Sequence, residues 1–195
     1  MIGGRLSGSI RQQSQEIEDL YNHAPCGYHS LDRDGVFIRI NDTELEWLQY
    51  RREELIGKKR FTDLLTPDGR KTFKDSFPQL KAEGTVQDLE FELIRKDGTT
   101  IPVLLSASAV RDSSGDYLRS RSTVYDITSR KLQEQAQARL AAIVEYSDDA
   151  IISEQLDGTI LTWNKAAERM FESTAAEAVG RPVSILAPCF PASGS

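Results

Sequence analysis

The sequence predicts an α+β fold: a five-stranded antiparallel sheet with short helices on one face and flanking amphipathic helices.

 Three observations carry that prediction. Val86 to Thr128 holds three strand-type runs joined by two polar turns, an antiparallel meander. Two shorter strand-type runs flank the turn Asp32-Arg33-Asp34-Gly35. Between these groups the apolar residues recur at helical spacing, and two strands, helices and three strands in that order is an α+β pattern.

In chain order, residues 1–9 are small and polar and read as a disordered N-terminus. Ile10, Ile17, Leu20 and Tyr21 fall on one helical face, so 10–24 reads as an amphipathic flanking helix ended by Pro25. Cys26–Asp32 and Val36–Ile40 are the first two strands. Asn41 is a good cap for a helix over Asp42–Gln49, and Gly57 stops a second short helix over Arg51–Ile56. Phe61–Leu65 forms a helical turn. Asp68–Ala82 is a longer helix, with a kink or early end expected near Phe77 because Pro78 lacks the N–H a helix interior needs.

In the meander, Leu89, Phe91 and Leu93 alternate with Asp88, Glu90 and Glu92, which places three apolar side chains on one face. A two-residue turn at Asp97-Gly98 would pair Leu93 with Pro102, Phe91 with Leu104 and Leu89 with Ser106. Leu104, Ser106 and Ser108 would then face the short helices, and Ile101, Val103 and Leu105 the opposite, outer side.

Turn, cap and stop residues recur at an offset of 123: Asp34-Gly35 as Asp157-Gly158, Asn41 as Asn164, Glu54 as Glu177 and Gly57 as Gly180. Two copies of one unit follow from that. The domain plan is a flanking helix 10–24, a complete unit 25–128, a connector helix 129–146 and a truncated second unit 147–195. The second copy lacks a counterpart of the meander, so Ile151, Ile152, Ile160 and Trp163 are expected to be exposed.

A net charge of -6 with mixed signs argues against a nucleic-acid face, and no apolar run reaches membrane-spanning length. The expected location is cytoplasmic, with no membrane partner. Cys26 and Cys189 show no metal-site spacing and read as free thiols.

The ordered motifs Asp34-Gly35, Ile40-Asn41, Glu53-Glu54-Leu55-Ile56-Gly57, Arg95-Lys96-Asp97-Gly98-Thr99 and Asp126-Ile127-Thr128 resemble those of PAS domains, sensory modules of bacterial signalling proteins. The second copy resembles the family in Trp163-Asn164-Lys165-Ala166-Ala167-Glu168-Arg169 and Glu177-Ala178-Val179-Gly180-Arg181-Pro182. The resemblance implies a first strand lying between the second and fifth, and a ligand pocket between sheet and short helices. It also implies a sensory and dimerisation region, such as the input region of a sensor histidine kinase in a two-component system.

The candidate pocket residues are Trp47, Phe61, Phe73, Phe77, Phe91, Leu104 and Ser106. Asp126 and Thr128 are the candidates for signal relay into the connector helix, and Ile17, Leu20, Ile101, Val103 and Leu105 for a homodimer interface. Residues 41–65 contain no cysteine and 68–82 no histidine, which argues against covalent flavin photosensing and against haem held on the long helix. The cofactor is otherwise unassigned, and no metal site is expected. His29 is open to two readings: a ligand or pH-sensitive group, or a strand residue facing solvent or a hydrogen-bond partner. No catalytic signature appears, so the expectation is a non-enzyme that relays ligand or redox state to an output domain. The alternatives are a ligand-free dimerisation module, or a piece of a histidine kinase.

Overall fold

The computed structural model describes the backbone of residues 3–189 and the side chains of residues 12–186. The chain divides into two compact units, Met1–Lys131 and Leu132–Ser195.

The first unit opens with helix α1 (Gly3–Asn22), which begins ahead of the expected Ile10 and takes in most of the stretch read as disordered. Strands β1 (Gly27–Leu31) and β2 (Phe37–Ile40) follow. Helices α2 (Asp42–Leu48) and α3 (Arg52–Leu55), a 3-10 turn (Phe61–Leu64) and α4 (Pro67–Glu83) come next. Strands β3 (Thr85–Ile94), β4 (Thr100–Arg111) and β5 (Tyr117–Asp126) complete a sheet of order β2-β1-β5-β4-β3, with every pairing antiparallel. Helix α5 (Thr128–Glu145) leaves from the end of β5.

Helix α4 runs through Pro78 to Glu83 without the expected early end. Pro78 and Lys74, whose carbonyl loses its helical donor, are both exposed, so water can complete that carbonyl. Gly84 closes the helix in the left-handed region, its N–H bonded to the Leu80 carbonyl.

The β3–β4 turn corrects the expected register. Arg95 N–H bonds Thr99 O (2.8 Å), Gly98 N–H bonds Arg95 O (3.0 Å), and Gly98 has φ +86°. That is a three-residue loop, a turn closed by a left-handed glycine. Asp97 supports it by accepting from the Thr99 N–H. The pairs are therefore Leu93–Ile101, Phe91–Val103 and Leu89–Leu105. A slip of one residue exchanges the faces of a strand. Ile101, Val103 and Leu105 thus lie in the core, at 1%, 0% and 6% exposure, with Phe91, Leu93 and Val124.

The second unit contains β6 (Ile152–Glu154), β7 (Ile160–Trp163), α6 (Lys165–Phe171), α7 (Ala175–Ala178) and a 3-10 segment (Val183–Cys189). Its two strands pair with each other. Ile160 and Trp163 are buried, against the expectation that they would be exposed; they pack with Ala167, Ala178, Phe171 and Leu186. The helices supply enough apolar cover for these two residues without the meander, while Ile151 stays exposed. The last residues of the expected second domain and the Cys189 side chain lie outside the described residues.

Both copies are held by the same asparagine clamp. Asn41 donates to the carbonyls of Tyr21 (3.0 Å) and Cys26 (2.9 Å), and its Oδ1 accepts from the N–H groups of Tyr28 (2.9 Å) and Glu44 (3.1 Å). Asn164 donates to Val144 O (2.8 Å) and Asp149 O (2.9 Å) and accepts from Ile151 N–H (2.9 Å) and Ala167 N–H (3.0 Å). Every partner is displaced by the sequence offset. One side chain ties the preceding helix, the first strand and the next helix N-terminus together.

Candidate functional site

Beneath α4 and the 3-10 turn, the inner face of the sheet encloses a small cavity of about 20 Å³. Phe61, Phe73, Phe77 and Phe91, four of the seven candidate pocket residues, line it. Their rings form a chain: Phe61 meets Phe91 edge-on at 5.6 Å and Phe73 at 5.5 Å, and Phe73 stacks on Phe77 at 4.7 Å. Trp47 packs against the core but is not part of the cavity wall. Leu104 and Ser106 are on the outer face, the consequence of the register correction; Ser106 instead bonds the N–H of Asp88 at a bulge in β3 (3.1 Å). Ser76, Ser120 and Ser122 supply the polar part of the wall.

His29, open from the sequence to two readings, stands on this wall, and Glu44, which is not among the sequence candidates, pairs with it. His29 and Glu44 are 2% and 0% exposed, and His29 Nδ1 lies 2.8 Å from Glu44 Oε1 and 3.1 Å from Oε2. His29 stands on the cavity wall between Phe37 and Phe61, with ring centroids 5.3 Å and 5.1 Å away. Its Nε2 is buried without a hydrogen-bond partner. The signal was present in the strand period: His29 shares a face with Leu31. Glu44 likewise lies one helical turn before the buried Leu48. Gly27 makes room for Glu44, since a Cβ there would sit 3.0 Å from the Glu44 Cβ.

A second, open groove of about 870 Å³ lies between α1 and the outer face, lined by Ile17, Tyr21, Arg39, Ser106, Arg119 and Arg121 among others. Ile17 and Leu20 are both 68% exposed. Ile101, Val103 and Leu105 take no part in that face, because they are core residues.

At the end of β5, Asp126 Oδ1 accepts from the N–H of Thr128, the first residue of α5 (2.8 Å). Ile127 is buried and its N–H bonds the Pro102 carbonyl on β4 (3.1 Å). Glu90 on β3 pairs with Lys131 (2.6 Å) and with Arg130. The Lys131 hydrogen bond, aided by Arg130, holds the Glu90 carboxyl below its usual pKa. The first turn of α5 is thereby fastened to two neighbouring strands.

Residues 25–129 match the family model described as PAS domain, more than half of the chain. The chain belongs to the PAS family. Residues 138–190 also match a model described as PAS fold, a partial second copy. The phosphoserine phosphatase RsbP of Bacillus subtilis is 36% identical over 92 residues, 47% of this chain and 23% of that protein. The sensor protein FixL of Bradyrhizobium diazoefficiens is 26% identical over 166 residues, 83% of this chain and 33% of FixL. The chain thus spans a third or less of these relatives. Among solved structures, a PAS domain from Colwellia psychrerythraea aligns with a TM-score of 0.54 at 15% identity, covering 60% of this chain and 98% of that one, which shows the shared fold. This is a PAS sensory module of the kind found in signalling proteins. Among the described residues no helix is long and apolar enough to cross a membrane.

Proposed function

We propose that the first PAS unit senses a small ligand in the cavity beneath α4 and the 3-10 turn and relays occupancy to α5 through Asp126-Ile127-Thr128. The observation that carries this reading is the fastening of α5: its first turn is tied to β3 through Glu90 and to β4 through the Ile127 N–H. Both strands contribute to the cavity wall, with Phe91 on one and Leu105 on the other. A ligand that moves either strand changes the seat of the helix. The module has no bond chemistry of its own and acts in the cytoplasm on an output domain, in a homodimer that uses the exposed Ile17 and Leu20 of α1.

Amide hydrogen exchange of the full chain, with and without a cavity ligand, tests the relay. Ligand binding should alter exchange at residues 127–131 as well as at the cavity. Protection confined to the cavity would remove the relay.

A further inference from the structure

Resting on that sensory reading, we propose that His29 is the polar anchor of the cavity, and that the ligand is a small, largely apolar molecule presenting a hydrogen-bond-accepting oxygen.

A buried pair is favoured when its net charge is zero. For His29 and Glu44 that condition has two forms: imidazolium with carboxylate, or neutral imidazole accepting from the carboxylic acid. In the first, both ring nitrogens carry protons. In the second, Nδ1 accepts from Glu44, so the ring proton resides on Nε2. In either net-neutral form Nε2–H is a donor, buried on the cavity wall without an acceptor. Only the net-negative arrangement, with Nδ1–H donating to a Glu44 carboxylate, makes Nε2 an acceptor, and nitrogen-15 NMR of the ring separates them. Buried donors in folded proteins are nearly always paired. A molecule entering this cavity with an oxygen acceptor would complete the bond, while Phe61, Phe73, Phe77 and Phe91 receive its apolar part. At about 20 Å³ the cavity has room for a single water. A larger ligand gains space by displacing the half-buried rings of Phe73 and Phe77 on α4.

The second copy supplies an internal comparison. At the offset of 123, His29 and Glu44 become Ile152 and Ala167, and Gly27 becomes Ala150. The asparagine clamp is kept in both copies, so the local fold does not depend on the polar pair. The pair is a property of the first cavity.

The test uses the full chain. Nitrogen-15 NMR of the imidazole should show Nε2 protonated; an unprotonated Nε2 overturns the proposal without reference to any ligand. Cyclohexanone and methylenecyclohexane, alike in shape but differing in the oxygen, are then titrated as probes. The ketone should bind about tenfold more tightly, a preference of about 1.4 kcal/mol, and should shift the His29 Nε2–H signal. In the double variant His29→Ile with Glu44→Ala, which installs the second copy's pair, the ratio should fall to about one. Equal affinity of the two probes for the native chain would overturn the His29 anchor and leave the sensory reading intact. If neither probe binds, even after Phe77→Ala enlarges the cavity, both fall.

Discussion

Replacing Asn41 by alanine removes four hydrogen bonds at a position with no exposure to solvent. The N–H groups of Tyr28 and Glu44 lose their acceptor, and the carbonyls of Tyr21 and Cys26 lose a donor. An unsatisfied buried group costs about 1–3 kcal/mol. Counting the two N–H groups alone, the expected loss is about 2–6 kcal/mol, a large part of the about 5–15 kcal/mol that stabilises a typical domain. Native-state hydrogen exchange is the suitable assay, because it reads each unit separately where a single melting curve would not. Protection should fall across β1 and at the start of α2, while the second unit keeps its own. Asn164→Ala should do the same to residues 151–167 and spare the first unit. Unchanged protection of the Tyr28 and Glu44 amides in Asn41→Ala would refute the clamp.

Three further outcomes follow from the geometry. Gly27→Ala presses a methyl against Glu44 and should cost about 1–3 kcal/mol in thermal or urea unfolding; adding His29→Ile and Glu44→Ala, the residues of the second copy, should recover most of it. Leu105→Glu puts a carboxylate into the core, so it should unfold the first unit by circular dichroism, rather than leave a folded monomer as an outer-face position would. Glu90 has a depressed pKa, so its pairing stabilises the α5 junction above the ordinary carboxyl value of 4.5 and is lost as pH falls through the lower folded value. The Lys131 amide shift should titrate in that acid range in the native chain and lose that step in Glu90→Gln.

Much of the fold is legible in the sequence because its punctuation is local. Asn41, Gly57 and Gly84 mark helix ends through caps and left-handed turns, and the offset of 123 exposes the repeat. The β3–β4 register was not legible in the same way. Asp97-Gly98 fits both a two-residue turn and a three-residue loop, and the choice depends on how Arg95 and Thr99 close it. That single residue moved Leu104 and Ser106 out of the candidate pocket and Ile101, Val103 and Leu105 into the core. Strand β4 is apolar on both faces over this stretch, so alternation gave no arbitration. The His29–Glu44 pair was hidden for another reason. Its members are 15 residues apart on different elements, so the period of each element shows which face its residue takes but not that the two meet.

The coupling of cavity to helix is tested most directly by binding linkage. Glu90 lies on the outer side of β3, away from the cavity wall, and touches the start of α5. If occupancy of the cavity and the seat of α5 are coupled, Glu90→Ala must change cyclohexanone affinity, by about fivefold or more for ordinary coupling energies. Calorimetry should show such a change, with matching changes in exchange at residues 127–131. Identical affinities in the native chain and in Glu90→Ala would contradict it.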